Sequence, residues 1–162
     1  MHEKTLKGAL MARVAIVMGS GKDRPVMQKA ADTLHSFDVE SDVRVLSAHK
    51  TPDDALAFAV DASNTYSVII AGAGKAAHLA GVMAAKTTLP VIGVPLSASL
   101  DGMDALLATV QMPTGIPVAT VAIDGATNAA LLAVAILALN DEGLAMKLNQ
   151  YREDLRKQTL EG

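Results

Sequence analysis

Three short apolar runs, at residues 14–18, 68–71 and 91–94, each stop at a glycine or a proline, and segments of helical period lie between them. A strand with no polar interruption has no face to give to water, so it must be covered on both sides, as in the centre of a parallel sheet. The helical segments supply that cover. Val26, Ala30, Ala31, Leu34 and Phe37 recur at helical spacing behind Asp23-Arg24-Pro25, where proline suits the first turn. Thr51-Pro52-Asp53-Asp54 has the form of a second helix start, with a capping hydroxyl, proline at the first helical position and early acidic residues. Further helices are expected from 76 to about 86, over 101–110, over 126–139 and from 141 to about 157. Less buried strands are expected over 41–46, where Val43 and Val45 alternate, and over 118–123. Strands alternating with helices through short connections predict an α/β fold, a three-layer doubly wound parallel sheet, in one domain spanning 12–162. Residues 1–11 read as a loose terminal extension without the long apolar core of a signal peptide.

Composition narrows the function classes. The chain is 51% hydrophobic but only 2% aromatic, so its layers must pack on small side chains. A net charge of -3 with two Phe and two Tyr offers neither the basic field nor the stacking platforms of a nucleic-acid binder. The absence of cysteine removes disulfides, thiolate nucleophiles and cysteine-ligated metals, and fits a cytoplasmic protein. Segment 126–139 is the most apolar, but Asn128 interrupts it and it falls short of the roughly 20 residues a membrane span needs. It is expected to be buried between layers or between subunits. In the last helix Leu144, Leu148, Tyr151 and Leu155 form one stripe, which suits packing on its own domain or on a neighbouring subunit.

The chemistry is concentrated in three turns: Gly19-Ser20-Gly21-Lys22-Asp23, Ser47-Ala48-His49-Lys50-Thr51-Pro52 and Gly72-Ala73-Gly74-Lys75-Ala76-Ala77-His78. In an open parallel sheet such turns gather at the carboxyl ends of the strands, where ligands bind and helix N-termini favour anions. One pocket for a small phosphorylated ligand follows. The first turn is not a dinucleotide fingerprint, because Arg24 stands where the third glycine is needed, and it lacks P-loop spacing. Its glycines suit a tight turn on their own, and Asp23 suits a plain helix cap. Yet Ser20 and backbone N–H groups could donate to phosphate while Asp23 accepts from ribose hydroxyls. His49 follows a strand and precedes the Thr51 cap, a place for proton transfer near neutral pH or for an exposed loop histidine. His78 is expected to orient its loop or to satisfy buried backbone groups. His2 and His35 read as terminal and surface residues, and no histidine pair has metal-ligand spacing with a nearby carboxylate, so no metal is expected.

Six ordered blocks carry a more specific signal: Met18-Gly19-Ser20, Ser47 to Pro52, Ile70-Ala71-Gly72-Ala73-Gly74, Ala76-Ala77-His78-Leu79, Gln111-Met112-Pro113-Thr114-Gly115-Ile116-Pro117-Val118 and Asn128-Ala129-Ala130-Leu131-Leu132-Ala133. Together they resemble the 5-(carboxyamino)imidazole ribonucleotide mutase family of purine biosynthesis, also known as the catalytic subunit of phosphoribosylaminoimidazole carboxylase, over nearly everything from Ala12 to about Lys157. The resemblance implies a flavodoxin-like fold, a phosphorylated imidazole ribonucleotide as substrate, no redox or organic cofactor, and a homo-octamer with its sites between subunits. Carried onto this chain, it makes Ser20 and Asp23 substrate contacts and Ser47 and His49 the catalytic loop. Gly74, Lys75, Ala76, His78 and Leu79 then belong to the loop that closes over the imidazole.

Four positions, in three segments, depart from the family pattern. Lys22 stands for the second serine of the first loop, Lys50 for the arginine that follows the catalytic histidine in the mutase branch, and Lys75 for a second glycine, with Ala80 in place of a proline. Lys50 resembles the branch that uses carbon dioxide directly, whereas Ala76-Ala77-His78-Leu79 resembles the mutase branch. The three lysines are open to two accounts. They could be drift at solvent-facing loop tips. Alternatively, Lys22 and Lys50 jointly hold phosphate while Lys75 approaches the substrate carboxylate or hinders loop closure.

Overall fold

The computed structural model describes residues 13–162, so the extension expected over 1–11 and the boundary at 12 lie outside the described residues. Five parallel strands form one sheet in the order β2-β1-β3-β4-β5: β1 Arg13–Met18, β2 Glu40–Val45, β3 Val68–Gly74, β4 Val91–Leu96 and β5 Ala119–Thr120. The helices are α1 Arg24–Ser36, α2 Pro52–Asp61, α3 Leu79–Ala84, α4 Met103–Val110, α5 Ala126–Leu137 and α6 Glu142–Glu161. The result is the flavodoxin-like three-layer arrangement that the strand and helix alternation predicts.

Alternation along the central strands sorts the core into two halves. Val14, Ile16, Met18, Val68, Ile70, Ile92 and Val94 point to one face and meet Met27, Ala30 and Leu34 of α1 and the alanines of α5. Ala15, Val17, Ile69 and Ala71 point to the other and meet Ala55 and Ala59 of α2 and Leu79, Ala80 and Met83 of α3. Helix α4 lies on that second face as well. It approaches β4 so closely that a Cβ on Gly93 would lie 2.4 Å from Thr109 Cγ2 and 2.9 Å from Val118 Cγ1. The scarcity of aromatics is thus a packing requirement: alanine-lined helices sit close to the sheet.

Several elements are shorter or longer than their sequence patterns indicate, each for a local reason. Strand β5 covers only two residues of the expected 118–123, because Asp124 takes φ +57 and folds back to donate its N–H to Pro95 O. Helix α3 begins at Leu79 rather than 76. Lys75 has φ +56, and the N–H groups of Ala77 and His78 donate to Lys75 O and Ala76 O, so the chain turns twice before it can coil. Helix α4 starts at Met103 behind three left-handed residues, Leu100, Asp101 and Gly102. Helix α6 continues to Glu161. Its first half packs on its own domain, through buried Leu144 and through Tyr151, whose ring lies 5.6 Å from that of Phe37, while Leu155 and Leu160 are exposed.

Candidate active site

The loops that leave β1, β2, β3 and β4 at their carboxyl ends surround a cavity of about 500 Å³. Ser20, Lys22 and Asp23 line it from the first loop, Ser47, His49 and Lys50 from the second, and Gly74, Lys75, Ala76, His78 and Leu79 from the third. All eleven site residues expected from the sequence therefore come together, although they lie on three separate segments. Sequence reasoning missed Ala98, from the loop after β4. A Cβ on Gly74 would come within 2.8 Å of Ala98 Cβ, so a bare glycine lets the two loops close the cavity wall. The β4 loop carries no glycine-rich or charged motif, and only its place at the end of a central strand could have pointed to it.

At the centre His49 Nε2 lies 2.7 Å from His78 Nδ1, with the rings edge to face at 86°. At that distance one nitrogen donates a hydrogen to the other, so the pair holds a proton between its inner nitrogens and leaves His49 Nδ1 and His78 Nε2 as outer positions. His78 therefore reaches another imidazole rather than buried backbone groups. Local structure explains why the two meet. Ser47 N–H donates to Thr51 Oγ1, and Thr51 Oγ1 donates to Ser47 O, which closes the β2 loop into a tight knot that presents His49. Thr51 thus spends its hydroxyl on the loop instead of capping α2. On the other side, the double turn at 75–78 places His78 at the N-terminus of α3.

Around this pair the polar groups are arranged for an anion and a sugar. Ser20 Oγ accepts the N–H of Lys22 at 3.3 Å, and Ser47 Oγ accepts the N–H of Lys50 at 3.1 Å. Each hydroxyl keeps its own hydrogen to donate. The backbone contributes less than the glycine-rich turn suggests. Gly19 N–H donates to Gly72 O and Asp23 N–H to Ser20 O, which removes both from phosphate binding. Asp23 makes no side-chain cap to α1, so the plain-cap reading of this residue does not describe it. Burial raises its carboxyl above the usual carboxylate range, while the Ser20 backbone N–H and the positive charge of Lys50 oppose that rise. Among the described residues no group of three histidine, aspartate or glutamate side chains is placed to ligate a metal.

A larger cavity, of about 630 Å³, lies between β2 and α2, and part of its charge is already paired. Arg13 pairs with Glu40 at 3.3 Å and Asp42 at 3.1 Å, and Tyr66 donates its hydroxyl hydrogen to Asp42 at 2.8 Å. It has no histidine, so size alone does not make it the reactive site.

A family model described as AIR carboxylase matches residues 13–158. The N5-carboxyaminoimidazole ribonucleotide mutase of Pyrococcus abyssi is 54% identical over 149 residues, which cover 91% of this chain and 86% of that protein. The enzyme of the same name from Escherichia coli is also 54% identical, over 93% of this chain and 91% of its own length. Among solved structures, Treponema denticola PurE superimposes with a TM-score of 0.85 at 31% identity, covering 93% of this chain and 95% of that one.

Proposed function

This chain belongs to the AIR carboxylase family, and on that premise we propose how its cavity performs the N5-carboxyaminoimidazole ribonucleotide mutase reaction of purine biosynthesis. The chain is such a mutase, an isomerase acting on an imidazole ribonucleotide. The observation that carries the mechanism is the His49–His78 contact inside a cavity edged by two serine hydroxyls, three lysines and a carboxylate.

The chemistry needs one proton in and one proton out. When the N–CO₂ bond of the carbamate breaks, the exocyclic nitrogen must gain a proton as carbon dioxide leaves. When C4 of the aminoimidazole attacks that carbon dioxide, the new tetrahedral carbon must lose a proton to restore the aromatic ring. The two transfers balance, so a single acid–base group that gives and then takes is sufficient. His49 has that role, and His78 holds its inner nitrogen so that the outer one faces the substrate. Ser47, Ala76 and Leu79 wall the space where carbon dioxide waits, because an intermediate held beside its nucleophile reacts before it diffuses away. Lys22 and Lys50, with the Ser20 and Ser47 hydroxyls, bind the phosphate, and Asp23 accepts from ribose hydroxyls.

The same reading makes the assembly a homo-octamer with sites near subunit boundaries, working in the cytoplasm. What supports the assembly is the apolar stripe of Met103, Leu107 and Val110 along α4, each about half exposed, with Leu100 exposed just before it. The deciding experiment supplies the protein with the carbamate substrate under carbon-dioxide-depleted conditions, and separately with aminoimidazole ribonucleotide plus bicarbonate. Faster carboxylated product from the carbamate is expected. Faster product from the second mixture at matched nucleotide concentration would assign direct carboxylation instead, the branch that Lys50 resembles.

A further inference from the structure

Lys75 stands in a backbone conformation that lysine rarely adopts, with φ +56, and its surroundings give that conformation a use. The preceding Gly74 is pressed against the β4 loop, so Lys75 leaves β3 directly beside the segment carrying Ala98 and Ser99. The Ser99 hydroxyl donates to the Asp104 carboxylate, which also accepts the N–H of Ala105 at 2.8 Å at the start of α4. Asp104 does not line the cavity, whereas Lys75 does. The carboxyl of Asp104 is held below the usual carboxylate range first by the Ser99 hydroxyl, with the positive charge of Lys75 contributing. Among the described residues no ion pair joins Lys75 to Asp104, whose carboxylate is satisfied by Ser99 and Ala105, so the ammonium of this cavity residue is not committed to that acid.

Strand order gives this cation a separate place from the other two. Lys22 and Lys50 rise from the loops after β1 and β2, and Lys75 rises from the loop after β3, on the side facing β4. A carboxylated ribonucleotide has two negative poles, its phosphate and its carboxylate, and the cavity has two positive ones. We propose that Lys75 is a specificity-determining residue that recognises the carboxylate of the carboxylated ribonucleotide. The inference rests on the functional reading above and adds to it a discriminating contact.

The test is calorimetric titration with two nucleotides that differ only in the carboxylate, 4-carboxy-5-aminoimidazole ribonucleotide and 5-aminoimidazole ribonucleotide. Lys75→Gly keeps the left-handed backbone and removes the ammonium. It should weaken the carboxylated nucleotide by roughly tenfold, the scale of one solvent-screened charge-assisted contact, and leave the other unchanged. An equal loss for both nucleotides in Lys75→Gly, or no loss for either, overturns the inference while the functional reading stands. Wild-type protein that binds neither nucleotide overturns both.

Discussion

His49 and Asp23 stand under different constraints, and substitution separates them. His49→Asn removes a group that both gives and takes the reaction's proton, so turnover should fall by at least about a hundredfold while ribonucleotide binding and the fold persist. Near-normal turnover in steady-state assays of the folded variant would remove His49 from the mechanism. Asp23 has a raised carboxyl pKa caused chiefly by burial, which means the folded state holds its proton more tightly than the unfolded chain. The sign follows directly. Stability is highest at acid pH and is lost as pH rises from the ordinary value of 3.8 through the raised one, where the half-buried carboxylate must ionise. Asp23→Asn should therefore match wild type in denaturant melts at acid pH, exceed it at neutral pH, and bind the ribonucleotide more weakly throughout. A variant less stable than wild type at neutral pH would mean that Asp23 is structural. These residues were legible in the sequence because each lies in the turn that follows a strand pattern, ahead of a helix start. Their mutual geometry was not, since the 2.7 Å contact between His49 and His78 joins residues 29 positions apart.

Strand β4 and helix α4 show how closely the layers must approach for those loops to meet. Gly93→Ala would drive a methyl into Thr109, whose β-branched side chain has few alternative rotamers and whose hydroxyl donates to Ala105 O at 2.7 Å. The substitution should cost about 1–3 kcal/mol of unfolding free energy, as overpacking of a filled core does. Thr109→Ser in the same chain removes the nearest clashing methyl and should recover part of that loss in chemical denaturation. A neutral Gly93→Ala would show that α4 can slide along the sheet. The central strands were easy to read because β1, β3 and β4 are apolar on both faces, and that pattern has no other soluble solution. The edges were harder. Strand β5 stops after two residues because Asp124 turns left-handed, and α3 begins three residues late because Lys75 does the same. Positive φ at aspartate or lysine has no sequence signature comparable to glycine, so these boundaries are set by tertiary contacts alone.

A single copy of this chain leaves an apolar stripe uncovered, the surface that the proposed assembly would bury. Helix α4 turns Ala105 and Thr109 to the sheet, yet Met103, Leu107 and Val110 follow one another at intervals of four and three on its other side, with Leu107 52% exposed. A helix apolar on both sides belongs between two layers, and only one layer is supplied by its own chain. Leu100 before α4, Leu132 on the outside of α5, Leu139 just beyond its end, and Leu155 and Leu160 on α6, enlarge the uncovered area. The active-site loops share this dependence, because His49, Lys50 and His78 are all exposed in the isolated chain and a reaction that must retain carbon dioxide needs a closed wall. Leu107→Glu puts a charge in the middle of the α4 stripe without touching the chain's own core, so it should lower the sedimenting mass while far-ultraviolet circular dichroism stays unchanged. Activity per chain should fall with the mass, and at higher protein concentration the two should recover together. Wild-type protein that sediments as one chain, or a Leu107→Glu variant that sediments as wild type does, would show that this stripe is not what holds the assembly.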